Sequence, residues 1–254
     1  MKLFRHVLFL ILTFIFLFIS CDSDSVTEPG DDEFSFNHEI NPGQSATEFL
    51  NDDDFERLVV QVQYMQGYEP TQEGLSNLES FLGERLNKSS ITIMEPEEIP
   101  AEGESSYTAD DVRDLEREHR TQFSSENEIA AYFIILDGEY SDADVLGIAH
   151  FNTSMALFGP KFAEVSSGVG SPSKEDVETI VLRHEFGHNL GLVNNGVDMQ
   201  ENHQDTDNGR HCDNEECLMY YAFRNADLFG NIFGGSIPDL DENCIADLQA
   251  AGGK

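Results

Sequence analysis

The sequence predicts an α/β (α+β) fold, and three features predict it. Apolar runs of strand length, LVVQVQYM (58–65) and IAAYFIILDG (129–138), are separated by stretches whose apolar residues recur every three or four positions. The two kinds of segment alternate along the chain, which describes helices layered on one sheet. With 254 residues, 39% of them hydrophobic, there is apolar material for one domain of roughly 200 residues with a real core.

Leu58 to Met65 is the first strand. From Pro70 to Leu86, the residues Leu75, Leu78, Leu82 and Leu86 share one helical face, with Phe81 at its margin. Ser90 to Met94 is a short second strand, and the acidic MEPEEIPAEGES (94–105) reads as a loop from its prolines and glycine. A second helix starts at Thr108, a good N-cap, and carries Val112, Leu115 and His119 on one side. The run 129–138 is apolar on both faces, the pattern of a central strand. VLGIAHFNTSMALFG (145–159) reads as one further extended segment. SPSKEDVETIVLRHEFGHNLG (171–191) is a helix: Pro172 and Ser173 open it, Asp176 stands three beyond the serine, and Gly191 ends it as a left-handed C-cap would. Near the C-terminus Leu240, Cys244 and Leu248 recur at helical spacing, which makes Cys244 a buried thiol.

The chain carries 49 acidic against 14 basic residues, a formal charge of −35. Such a surface repels phosphates, which excludes nucleic acid and an anionic lipid surface as partners. Residues 1–21 hold Lys2 and Arg5, an apolar run from Val7 to Ile19, then Ser20 and Cys21. That run is too short for a hydrocarbon core of about 30 Å, so it reads as an export signal. Its end, FISC, resembles a bacterial lipoprotein signal, with Phe18 where leucine is usual. The resemblance implies a lipidated Cys21 that holds the protein to a membrane, in the periplasm or on the cell surface; an ordinary secretory signal would leave it secreted. Residues 22–54 are acidic and poor in aliphatics, an expected flexible tether, and residues 55–254 form the expected catalytic domain.

On the helix 171–191, Val177, Ile180, Val181, His184 and His188 fall on one face, so both imidazoles point inward with the apolar residues. Two inward histidines one turn apart can both reach a Zn²⁺ at about 2.0–2.1 Å. Glu185, beside the first, is placed to take a proton from a metal-activated water.

HEFGHNLG (184–191) also resembles the metzincin metalloproteases, whose motif is HExxHxxGxxH followed by a methionine turn. Position 194, where that motif has its third ligand, is Asn194, a poor zinc ligand. Downstream, HCDNEECLMYY (211–221) resembles the matrixin form, with a histidine eight residues before the methionine of LMY. It resembles the archaemetzincin HCx4CxM as well, through His211, Cys212, Cys217 and Met219. The resemblance implies a zincin/metzincin-like fold: a mixed twisted sheet with an edge strand, an active-site helix, a Met-turn and a C-terminal helix. It implies His211 as third ligand, after an insertion that lengthens the compact motif; His203, in NHQD, is the rival. It makes GIAHFNTS (147–154) the edge strand that binds the substrate main chain, with His150 on it either lining the cleft or, as expected, simply exposed. Met219 would floor the metal, and Tyr221, in the M-x-Y position, could stabilise an oxyanion.

Cys212 and Cys217 would form a disulfide that fixes His211; the alternative is a second zinc, which archaemetzincins hold with four cysteines, and only Cys244 remains to complete such a set. DTDNGR (205–210) has Arg210 where a calcium loop needs glycine, so it reads as a solvated acidic loop. The expected function is a zinc-dependent endopeptidase acting on a peptide or protein substrate. Two other functions stay open: a catalytically inactive surface binding lipoprotein of the same fold, and a non-peptidase zinc hydrolase.

Overall fold

The two apolar runs become the central strands of one sheet. The computed structural model describes residues 34–142 and 144–254; the N-terminal apolar run and Cys21 lie outside them. The chain runs α1 (Ala46–Leu50), β1 (Arg57–Met65), α2 (Gln72–Arg85), β2 (Ser90–Ile93), β3 (Glu97–Ile99), β4 (Ser106–Tyr107), α3 (Ala109–His119) and β5 (Glu128–Leu136). It continues through β6 (Glu139–Tyr140), β7 (Gly147–Phe151), β8 (Ser154–Phe158), α4 (Gly159–Val165) and α5 (Lys174–Asn189). A long loop then leads to a 3-10 turn (Tyr221–Arg224), α6 (Ala226–Ile232) and α7 (Glu242–Ala250).

The sheet has the order β2-β1-β5-β8-β7, with β3 also paired to β1. Every pairing in it is parallel except that of β7, which runs antiparallel to β8 at the edge. Parallel central strands are covered on both faces, which is why β1 and β5 are buried along almost their whole length. On one face α1, α2 and α5 bring Phe49, Leu78 and Phe186 against Val60, Val62 and Phe133. On the other, α3 sets Val112 and Leu115 over Tyr132, Ile134 and Phe158. Helices α3 and α5 both start with a reciprocal cap: Thr108 with Asp111 on α3, and Ser173 with Asp176 on α5. Each pair satisfies backbone donors that the first helical turn leaves open.

Three expectations are corrected. First, 145–159 is not one strand but a hairpin, β7 and β8, turning at the polar Asn152 and Thr153. Second, residues 34–54 are not a tether. Phe36 packs on the core, Phe49 and Leu50 are fully buried, Phe34 and Phe36 meet the Phe55 ring edge-on, and the Asn152 N–H donates to the Ile40 carbonyl. The apolar residues that do this are few, and an average over an acidic stretch hides them. Third, His150 is buried rather than exposed, because its Nε2 meets Glu116 Oε2 at 2.6 Å. The acidic loop 94–105 also supplies β3.

The Glu116 carboxylate belongs to a buried network that ties α3 to the edge hairpin. Arg120 Nη1 donates to Glu116 Oε1 (2.7 Å), Thr153 Oγ1 (3.1 Å) and Ser154 Oγ (3.0 Å), while Nη2 reaches the Ala130 carbonyl (3.0 Å) and Nε that of Gln122 (2.8 Å). A buried guanidinium satisfied in this way is tolerable; one stripped of its carboxylate is not. Glu116→Ala should therefore destabilise the fold by about 3–5 kcal/mol in urea unfolding. A loss below about 1 kcal/mol, the range of an exposed pair, would contradict this account of how the edge strand is held.

Candidate metal centre

Helix α5 presents His184 and His188 on its buried face, and the loop after it brings His211 to meet them. The three imidazoles offer ring nitrogens that all lie within 4.8 Å of one another. Their ring centroids are 5.0, 5.2 and 5.0 Å apart. His184 Nδ1 donates to the Leu218 carbonyl (2.7 Å) and His211 Nδ1 to the Asn208 carbonyl (2.6 Å). Those bonds put the remaining proton-free nitrogen, Nε2, toward the common centre. All three Nε2 atoms are buried and lack any hydrogen-bond partner among the described residues.

Burial pushes His184 and His188 well below the ordinary imidazole value, and neighbouring histidines and the Arg224 guanidinium push the same way. Burial likewise lowers His211 to about 4. Neutral imidazoles with outward lone pairs are the form that ligates a divalent cation, so the donor set fits zinc. Glu185 sits in the same cleft with Oε1 unpartnered. Burial raises its carboxyl to about 7, against the opposing pull of Arg224 and of the Ala149 backbone N–H.

Met219 lies beneath this group. A Cβ at Gly187 would collide with Met219 Sδ, so the helix must be bare there for the sulfur to approach. Gly191 has φ +78°, followed by Val193 at 54° and Asn194 at 58°, so the chain leaves α5 through a left-handed run. Asn194 thus belongs to that turn, and its side-chain amide donates to Gln204 Oε1. A cleft of about 500 Å³ opens in front of the histidines, with Ile148 and Ala149 of β7 along one side and Asn41 and Pro42 at one end. Tyr221 does not line it. Its ring rests on Tyr220 (4.8 Å) and faces a smaller cavity beyond His211.

His203 lies in a second group. Its Nε2 meets Asp247 Oδ2 (2.8 Å) and its Nδ1 faces Cys212 Sγ (3.3 Å) and Cys244 Sγ (3.9 Å). Cys217 Sγ stands 3.6 Å from Cys244 Sγ and accepts from the Met219 and Asp241 backbone N–H groups. The expected Cys212–Cys217 disulfide is absent, since all three cysteines are free and buried. Cys212 Sγ also lies against His203 and Asp241, and Cys217 Sγ against Cys244. Hydrogen bonds from the Cys212 and Cys244 thiols favour the thiolate form of Cys217 and lower its pKa, against the opposing effect of burial. Burial disfavours a charged His203, but its bonds to Cys212 and Asp247 outweigh that and raise its pKa. Sulfurs bound to one tetrahedral zinc at about 2.3 Å stand about 3.8 Å apart, so this group also fits a soft cation. His203, Cys212, Asp241 and Cys244 offer ligand atoms within 4.8 Å of one another.

Several of these residues gave no signal, or a faint one, in the sequence. Asp247 could have been found, one turn from Cys244 on the same helical face, and Gly187 stands out as a glycine inside a helix. Arg224 and the Asn41–Pro42 wall gave none.

No family model and no curated protein matches this chain. The fold is similar to that in the crystal structure of archaemetzincin from Methanopyrus kandleri, with a TM-score of 0.51 and 14% identity over 78% of this chain and 95% of that one. Metalloproteinase-II from Bacteroides fragilis aligns with a TM-score of 0.42 and 13% identity, over 87% of this chain and 59% of that one. The first likeness is one of fold: a twisted, mostly parallel sheet with helices on both faces.

If both groups bind zinc, the purified protein should hold about two ions per chain, and His211→Ala and His203→Ala should each remove about one. Elemental analysis after dialysis checks this; full zinc retention by His211→Ala would contradict the ligand set.

Proposed function

We propose that this protein is a zinc-dependent endopeptidase, with His184, His188 and His211 as ligands and Glu185 as general base. The observation that carries this reading is the convergence of three buried, unpartnered imidazole nitrogens beside an unpartnered carboxylate. Polar atoms buried without partners cost about 1–3 kcal/mol each, so four of them gathered at one cleft need a ligand to offset that cost. The ion, when bound, supplies Lewis acidity to a water and to the scissile carbonyl.

The chain's own residues do the rest. The Nδ1 bonds of His184 and His211 hold those rings in the ligating tautomer before any ion arrives. The Glu185 carboxyl, with a pKa raised by burial to about 7, accepts the proton of the attacking water and returns it to the leaving amine. β7 has one edge paired to β8 and its Ile148 and Ala149 facing the cleft, so an extended peptide can add to it backbone to backbone. Such binding reads the main chain and suits cleavage within a peptide. We place the protein on a membrane through Cys21, outside the cytoplasm, on the strength of the N-terminal sequence.

Glu185→Gln keeps the shape of the side chain and removes the base. It should lower kcat on a cleaved peptide by about 10²–10⁴-fold while zinc content stays at the wild-type level. Wild-type activity in that variant, or no cleavage of any peptide library by zinc-loaded wild type, would count against the proposal.

A further inference from the structure

Arg224 closes the 3-10 turn after the methionine and lines the cleft together with Glu185, His188 and His211. It also lines the smaller cavity on the far side of His211, so its guanidinium stands where the two spaces meet. Among the described residues its side chain makes no hydrogen bond, and no carboxylate lies within 4.0 Å of it. That is unusual in a chain with 49 acidic residues and 14 basic ones, where Arg57, Arg85, Arg113, Arg117 and Arg120 all have acidic partners. A half-buried guanidinium presents planar donors shaped for a carboxylate. Arg210 lines the same cleft and is bound to a backbone carbonyl, that of Asn194, so it adds positive charge without an acidic partner. The wall of the cleft is therefore cationic on a molecule that is otherwise strongly anionic. Asp142 lines the smaller cavity, which repels an anion from that side and leaves the main cleft as the place for one.

The geometry points to Arg224 as a specificity-determining residue that binds a carboxylate of the substrate next to the scissile bond. This rests on the peptidase reading above. The carboxylate has two sources, an Asp or Glu side chain of the substrate or its free C-terminus, and Arg224 serves either by the same paired hydrogen bonds. The surrounding −35 charge disfavours acidic substrates at long range, so a local cation is what lets one be held.

The test compares three peptides of one sequence: a neutral peptide blocked at both ends, the same peptide with glutamate placed in turn at each position flanking the cleaved bond, and the neutral peptide with a free C-terminal carboxylate. Zinc-loaded wild type should favour a carboxylate-bearing peptide in kcat/KM by about tenfold or more, and the favoured arm names the source. Arg224→Gln should abolish that ratio through KM, and Arg224→Lys should keep part of it. An unchanged ratio in Arg224→Gln, with all three peptides slowed alike, would overturn the inference, since the arginine would then act on the reacting centre. Binding of the same peptides to Glu185→Gln protein, followed by fluorescence anisotropy, needs no turnover. Tighter binding of the carboxylate peptides that is lost in Glu185→Gln/Arg224→Gln supports the inference even if wild type cuts nothing, in which case only the peptidase reading falls. Equal binding of all three overturns the inference.

Discussion

Three imidazole nitrogens, buried and facing one another with no partner, set the terms for the rest of the domain. Such an arrangement is unfavourable in the bare protein, because desolvation is not repaid by hydrogen bonds. The surrounding structure over-determines it. His184 is tied to the carbonyl of Leu218 in a segment distant in sequence, while His211 is oriented within its own loop by the carbonyl of Asn208. The His184–Leu218 bond thus ties the helix to the methionine segment. A cation at the centre would turn that cost into a cross-link between α5 and the chain around 211.

The second cluster of potential ligand atoms extends the same logic. Cys212 follows His211 directly, and Cys217 precedes Met219 by two residues, so whatever fixes these sulfurs also fixes the third histidine and the floor below it. His203 reaches this group from the insertion and Cys244 from α7, with Asp247 orienting the His203 ring. On the other side of the sheet, the Glu116–Arg120 pair holds the hairpin that borders the cleft. The walls of the cleft are thus fastened from behind by polar networks, while its front is left with unpaired groups.

Much of this was legible in the sequence, for physical reasons that can be named. The periodicity of α2 and α5, the cap pairs Thr108 with Asp111 and Ser173 with Asp176, and the two-faced apolar strands each reflect local constraints, and local constraints leave local patterns. The spacing from His211 to Met219 pointed to His211, which the fold brings beside His184 and His188, where spacing from His188 alone pointed to Asn194. What stayed hidden depended on contacts between distant segments. The burial of Phe49 and Leu50 in an acidic stretch, the Glu116 clasp on His150, and the convergence of His203 with Cys244 all join parts of the chain that carry no mutual signal. The disulfide expectation failed for the same reason: the fold gathers Cys212 and Cys217 with Cys244 and His203 as free buried thiols, and Cys244 comes from a helix distant in sequence.

The most direct measurement of the central claim is anomalous diffraction at the zinc absorption edge from crystals of the zinc-loaded protein. The account predicts a peak about 2.0–2.1 Å from the Nε2 atoms of His184, His188 and His211 together. A density map with no peak among these three nitrogens, or with an ion held by His184, His188 and a residue other than His211, would contradict it.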